Sequence, residues 1–130
     1  MARVHHDVHF PASPARVYRA LLDAEQHAAF TGAPAEVDAE PGGAFACYGG
    51  RVHGRHLELI PDRRIVQAWR SGDWAEGVWS TIRFELAPDG DGTRLAFDHD
   101  AIPDDARDHI DRGWHARYWE PLREWLARDG

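Results

Sequence analysis

Nine histidines stand in the 130 residues, three of them in the stretch HHDVH at 5–9. Imidazole and carboxylate together suit first-row metals. In an extended chain His5, Asp7 and His9 share one face. Residues four apart in a strand nevertheless lie about 13 Å apart, too far for one small ion. No H-x-x-x-H falls on a helical stretch, so no metal and no other cofactor is expected. The stretch reads as the wet face of a strand. Cys47 would be a nucleophile if a histidine activated it. Its parity with Phe45 and Val52 predicts a buried, inert thiol instead. GGAF and GGRV are turns and not phosphate loops, because no helix follows and G-K-[ST] is missing. Two polar residues stand out. His99 follows Leu95 and Phe97 on the apolar parity of a strand, and Gln67 stands between Ile65 and Trp69. Polar groups on an apolar face must be hydrogen-bonded or wet. His99 is either a satisfied core histidine or a polar handle in an otherwise apolar pocket. No convincing pair of titratable groups stands together, so no catalytic residue is assigned.

These residues need elements to place them. Val4 to Phe10 alternates apolar and polar and predicts a half-buried strand. PASPARVYRALLD then begins a helix, with Ser13 as N-cap and Pro14 at the first helical position. A second short helix is expected around Glu25 to Phe30. From 36 to 100 the text changes to strands and turns. Gly49-Gly50 reads as a hairpin turn that pairs Cys47 with Val52. Beyond Gly54 the apolar parity passes to Leu57 and Leu59, which predicts a bulge or bend at the glycine. Three more strands carry the same-face sets Ile65/Gln67/Trp69, Ile82/Phe84/Leu86 and Leu95/Phe97/His99. Strands joined by short loops make an antiparallel sheet, and helices gathered on one face of it make an α+β domain.

A long helix closes the chain, with Asp104 as candidate cap. Ile110, Trp114, Tyr118, Leu122, Trp125 and Leu126 form one broad stripe that includes Pro121. Trp119 falls outside it and reads as a rim residue or a partner contact. Gly113, beside the stripe, is expected to admit another backbone closely. Pro121 removes a helix hydrogen bond at roughly 3 kcal/mol, acceptable where a helix bends over a curved sheet. Wide side chains here bridge a gap to the sheet. The pattern leaves open whether that gap is a cavity or a solid aromatic core.

Composition narrows the functions. The chain carries 22 acidic and 15 basic residues, a formal charge of −7, which argues against nucleic acid. No run of 18 apolar residues exists to span a membrane, and the N-terminal stretch lacks the apolar region of a signal peptide. With a single cysteine, a reducing cytoplasm is the expected location. The length suits one domain over 1–130.

FPASPARVYRALLD, PGGAFACYGG, VHGRHLELIP, RRIVQAWR, GDGTRLAFDHDAIP and GWHARYWEPL occur in this order. Together they resemble Aha-type domains, named for the activator of the heat-shock-protein-90 ATPase, within the START-like (SRPBCC) superfamily. The resemblance implies the helix-grip fold. In it a curved antiparallel sheet of about six or seven strands wraps a long C-terminal helix, with two short helices after the first strand. It also implies an apolar ligand between sheet and helix. Phe45, Gln67, Trp69, Phe84, Phe97, His99, Trp114 and Tyr118 are the residues expected around that ligand. Three functions follow as expectations. The first is binding of a small apolar or aromatic molecule. The second is polyketide cyclase- or dehydratase-like catalysis with His99 as acid/base. The third is contact with a chaperone in the stress response, through Trp119 or Trp74. The family's eukaryotic co-chaperone carries a further domain for which 130 residues leave no room. A monomer or a homodimer is expected.

Overall fold

The computed structural model describes residues 1–129. Strand β1 (Ala2–Phe10) leads into helices α1 (Pro14–Leu22) and α2 (Ala24–Thr31). Six strands follow: β2 (Ala35–Val37), β3 (Ala44–Cys47), β4 (Val52–Ile60), β5 (Arg64–Ser71), β6 (Ser80–Asp89) and β7 (Gly92–Ile102). They form one antiparallel sheet in the order β1-β7-β6-β5-β4-β3-β2, so the first strand closes against the last. A 3-10 turn at Asp104–Ala106 opens the C-terminal helix. It continues as α3 (Arg107–Gly113), a π-helical turn at Trp114–Trp119, and α4 (Glu120–Asp129). This is the helix-grip form of an α+β fold.

Local chemistry accounts for the boundaries. Along β1 the side chains of Val4, His6, Val8 and Phe10 are buried and their neighbours exposed. Ser13 Oγ accepts the N–H of Arg16 at 3.3 Å and starts α1. Asp23 Oδ1 accepts the N–H groups of Glu25 and Gln26 at 2.9 and 3.2 Å and starts α2. Gly32, at φ 74°, ends α2 in the left-handed conformation. Cys47 pairs with Val52 across the β3–β4 hairpin, in the expected register.

Three local expectations are corrected. The bulge in β4 lies at Leu57, between His56 and Glu58, and not at Gly54. Leu57 is therefore 57% exposed, while Leu59 packs on the core. Gly54 is explained by close approach: a Cβ there would collide with the carbonyl oxygen of Ala68 on β5. Asp104 makes no cap hydrogen bond, because its carboxylate pairs with the Met1 ammonium at 3.2 Å.

The third correction concerns Trp119. The N–H of Glu120 bonds to the carbonyl of His115, five residues back, in the wider π pattern. That turn rotates Trp119 inward, and it is 1% exposed beside buried Trp114 and Tyr118. It is a core residue, neither rim nor partner contact. Pro121 stands two residues beyond the end of this turn. The apolar side chains of sheet and helices join in one cluster, with Phe10, Ile65, Ile82, Leu95, Phe97 and Leu122 at its centre.

Candidate functional site

A cavity of about 520 Å³ lies between the sheet and the C-terminal helix. Its walls are aromatic: Phe45 from β3, Trp69 from β5, Phe84 from β6, and Trp114 and Tyr118 from the π turn. His27, Cys47, His56 and Gln67 add polar atoms inside it. Exposed Arg51, Asp73, His109 and Arg117 line its open rim.

Of the eight residues expected around a ligand, Phe45, Gln67, Trp69, Phe84, Trp114 and Tyr118 line this cavity. Phe97 and His99 stand behind its wall. The Phe97 ring packs 4.5 Å from that of Trp114. The indole N–H of Trp114 donates to His99 Nδ1 at 3.1 Å. The proton therefore sits on Nε2, which donates to Ser80 Oγ at 2.8 Å. The Ser80 hydroxyl donates in turn to the Trp69 carbonyl at 2.7 Å. His99 is thus a satisfied core histidine that orients Trp114. Burial lowers its pKa to about 3, which keeps it neutral.

Two of the interior polar groups, His56 and His27, are ones the sequence pattern missed. His56 is 1% exposed and stacks on Phe45. Gln67 Nε2 lies 3.4 Å from His56 Nδ1, while His56 Nε2 is buried without a hydrogen-bond partner. A parity change at Gly54 would put this histidine outside, whereas the bulge at Leu57 leaves it facing in. His27, from α2, has Nε2 2.9 Å from the Tyr118 hydroxyl, and its Nδ1 is buried without a partner. Burial lowers the His27 pKa to about 4. The Cys47 thiol lies 3.8 Å from His27 Nε2, and burial pushes it up to about 12. It stays a thiol, a poor nucleophile beside a neutral imidazole.

Two further histidine clusters lie outside the cavity. In HHDVH, His5 Nδ1 is 2.8 Å from Asp98 and Nε2 is 3.1 Å from Asp7. Both nitrogens face carboxylates, and the Asp98 hydrogen bond above all raises the pKa of this ring. His9 faces Asp89 instead, at 3.8 Å, so the three residues do not converge. On the other side of β1, ligand atoms of His6, Asp111 and His115 lie within 4.8 Å of one another. The spacing alone would fit a metal. The proton positions do not. Trp119 Nε1 donates to His6 Nδ1 at 2.9 Å, so the His6 proton sits on Nε2 and goes to Asp111 at 2.5 Å. A metal at Nε2 would have to displace that proton from an otherwise neutral ring. The arrangement fastens helix to sheet, and sequence could not find it because its members stand 105 residues apart.

Among the described residues no helix is long and apolar enough to cross a membrane. The family model for activator of Hsp90 ATPase homolog 1-like protein matches residues 11–127. The human activator of 90 kDa heat shock protein ATPase homolog 1 is 33% identical over 115 residues, covering 88% of this chain and 34% of the relative. This chain spans about a third of the length of the curated relatives it matches. The crystal structure of an HSP90 activator from Plasmodium falciparum has a TM-score of 0.92 at 24% identity, over 98% of this chain and 97% of that one. The solution structure of the Aha1 dimer from Colwellia psychrerythraea has a TM-score of 0.83 at 21% identity, over 97% and 96%. The match from α1 through α4, on a sheet that grips the C-terminal helix, makes this chain a member of the activator of Hsp90 ATPase homolog 1-like family.

Proposed function

We propose that the protein binds a small, largely apolar or aromatic molecule in the cavity between sheet and helix. One observation carries this reading: a space of about 520 Å³ walled largely by aromatic side chains is also lined by His56, whose Nε2 is buried and unpartnered. A buried polar atom without a partner is costly, and a ligand acceptor would satisfy it. The volume falls within the range of small-molecule sites, roughly 300–1,000 Å³. His56 with Gln67 takes the polar-handle role first expected of His99. Cyclase- or dehydratase-like catalysis has less support, because both His99 nitrogens are engaged and its ring stays neutral. Native mass spectrometry of freshly purified protein should find a retained small molecule. A thermal-shift panel of aromatic and alkyl compounds should raise the melting temperature. If nothing is retained and no compound raises it, the reading is wrong.

A second reading is contact with a chaperone of the 90-kDa heat-shock class, in the cytoplasm and under stress. It rests on the relatives' names and on the likeness over most of this chain. Trp119 cannot serve as the anchor, since it is buried, and Trp74 is packed against Trp69. Trp79, 43% exposed, is the available indole. The test adds this protein to the purified chaperone and measures ATP hydrolysis. Stimulation that Trp79→Ala reduces supports the reading, and no stimulation rejects it. Sedimentation of the same sample separates monomer from homodimer.

A further inference from the structure

We infer that the molecule held in the cavity is an acid: an apolar aromatic or alkyl body inside, and a carboxylate at the rim held by Arg117 and Arg51. The inference rests on the cavity reading above and adds the chemical class of the ligand.

Arg117 is placed with unusual care for an exposed side chain. Its carbonyl is held by the Tyr48 hydroxyl at 3.0 Å, which ties this turn of helix to the β3–β4 hairpin. Its guanidinium folds back over Gly113, where a Cβ would lie 2.6 Å from Nη2. A mid-helix glycine costs about 1 kcal/mol relative to alanine, and here the vacant place is filled by the guanidinium. Nη2 also lies 3.3 Å from His109 Nε2. Gly113, His109 and Arg117 all line the cavity. Among the described residues, Arg117 has no carboxylate within ion-pair distance, and neither has Arg51. Arg51 follows Tyr48 by three residues, lines the same cavity, and accepts the N–H of Gly72 on its carbonyl at 2.7 Å. The one carboxylate lining the cavity, Asp73, takes a hydrogen bond from the Ser71 hydroxyl and pairs with neither arginine.

In a chain with seven excess negative charges, two arginines without carboxylate partners line one largely apolar opening. A guanidinium presents a planar fork of donors that matches a carboxylate bidentately. The interior has no strong charge: His27 is neutral by burial, and Cys47 and Tyr118 keep their protons. An anionic head therefore belongs at the rim and an uncharged body inside.

The test uses matched pairs of probes on the full chain. These are 2-naphthoate with methyl 2-naphthoate, and dodecanoate with dodecan-1-ol, titrated by calorimetry. Each acid should bind about tenfold or more tighter than its neutral partner, as a charge-assisted pair requires. Arg117→Gln and Arg51→Gln should each weaken the acids by several-fold and leave the neutral partners unchanged. Arg117→Lys should restore only part of the loss, because it keeps the charge without the fork. Unfolding curves of each variant show that it is folded. If acid and neutral partner bind alike, or if both arginine variants bind the acids as the parent does, the carboxylate inference is overturned while the cavity reading stands. If no probe binds, both fall together.

Discussion

The Tyr48 hydroxyl donates to the carbonyl oxygen of Arg117 at 3.0 Å, and this is the carbonyl that Pro121 cannot serve. Proline lacks the N–H that an ordinary helix would offer four residues on. The π turn just before it carries the change of pitch, and a side chain from the turn between β3 and β4 supplies the missing donor. This makes a testable pair. Tyr48→Phe should cost about 1 kcal/mol, the usual worth of one hydrogen bond. In a Pro121→Ala background the alanine N–H can reach Arg117, so the same change should cost clearly less. Chemical denaturation of the four proteins gives the coupling. Strictly additive effects would mean that Tyr48 does not stand in for the proline.

The histidines separate into structural and functional ones. His99→Leu orphans the Trp114 indole N–H inside the core and leaves Ser80 one partner short. A buried unsatisfied donor costs about 1–3 kcal/mol, so this variant should unfold at clearly lower denaturant. His56→Leu removes one ring nitrogen that already lacks a partner and one held only by a long 3.4 Å contact from Gln67. It should cost less stability and should weaken ligands that offer an acceptor. Denaturation midpoints and ligand-induced melting shifts, measured together, decide this. The opposite order of stabilities would exchange the two roles.

Much of this arrangement was legible in the chain. Strand alternation placed β1, β5, β6 and β7 with their inner faces, because a period of two survives wherever one side is buried. Gln67, Trp69 and Phe84 come from those faces, Trp114 and Tyr118 from the helix stripe, and Phe45 from the hairpin strand β3. What was not legible followed from breaks in period. The bulge at Leu57 hid His56, and the π turn hid the burial of Trp119, since each adds a residue where a regular repeat is assumed. His27 was invisible for another reason. It lies in a two-turn helix with no apolar stripe to mark its inner side. The cluster of His6, Asp111 and Trp119 depends wholly on tertiary approach.

Acid should destabilise the protein well above the carboxylate range. His99 and His27 have folded pKa values of about 3 and about 4, against about 6.5 when unfolded. Below 6.5 the unfolded chain takes up protons that the folded one refuses, so stability is full above that pH and falls as pH drops toward 4. Each such histidine removes up to about 1.4 kcal/mol per pH unit in that window. His5 acts oppositely. Its raised pKa stabilises the fold below 6.5, and that contribution is lost as pH rises through the folded value. It is half exposed and screened, so the buried pair dominates. Urea midpoints at pH 7.5, 6.0 and 5.0 should fall in that order. A flat profile would contradict the neutral, buried state of both rings.

Two glycines, Gly113 in the cavity lining and Gly54 on β4, should respond in opposite ways to alanine. At Gly113 the only obstruction is the tip of Arg117, a flexible side chain that can swing away. Alanine gains about 1 kcal/mol of helix propensity there, so Gly113→Ala should leave the fold as stable as before or slightly more so. It should nevertheless displace the guanidinium from its seat and weaken acid probes while sparing neutral ones. At Gly54 the obstruction is the Ala68 carbonyl of β5, with the Phe45 ring beside it, and that carbonyl cannot move without shifting the sheet. Overpacking of this kind costs typically about 1–3 kcal/mol. Gly54→Ala should therefore lower the denaturation midpoint. Measured side by side, equal losses at the two sites would mean that Gly113 is held by backbone packing, and that the seat assigned to Arg117 is not what its glycine is for.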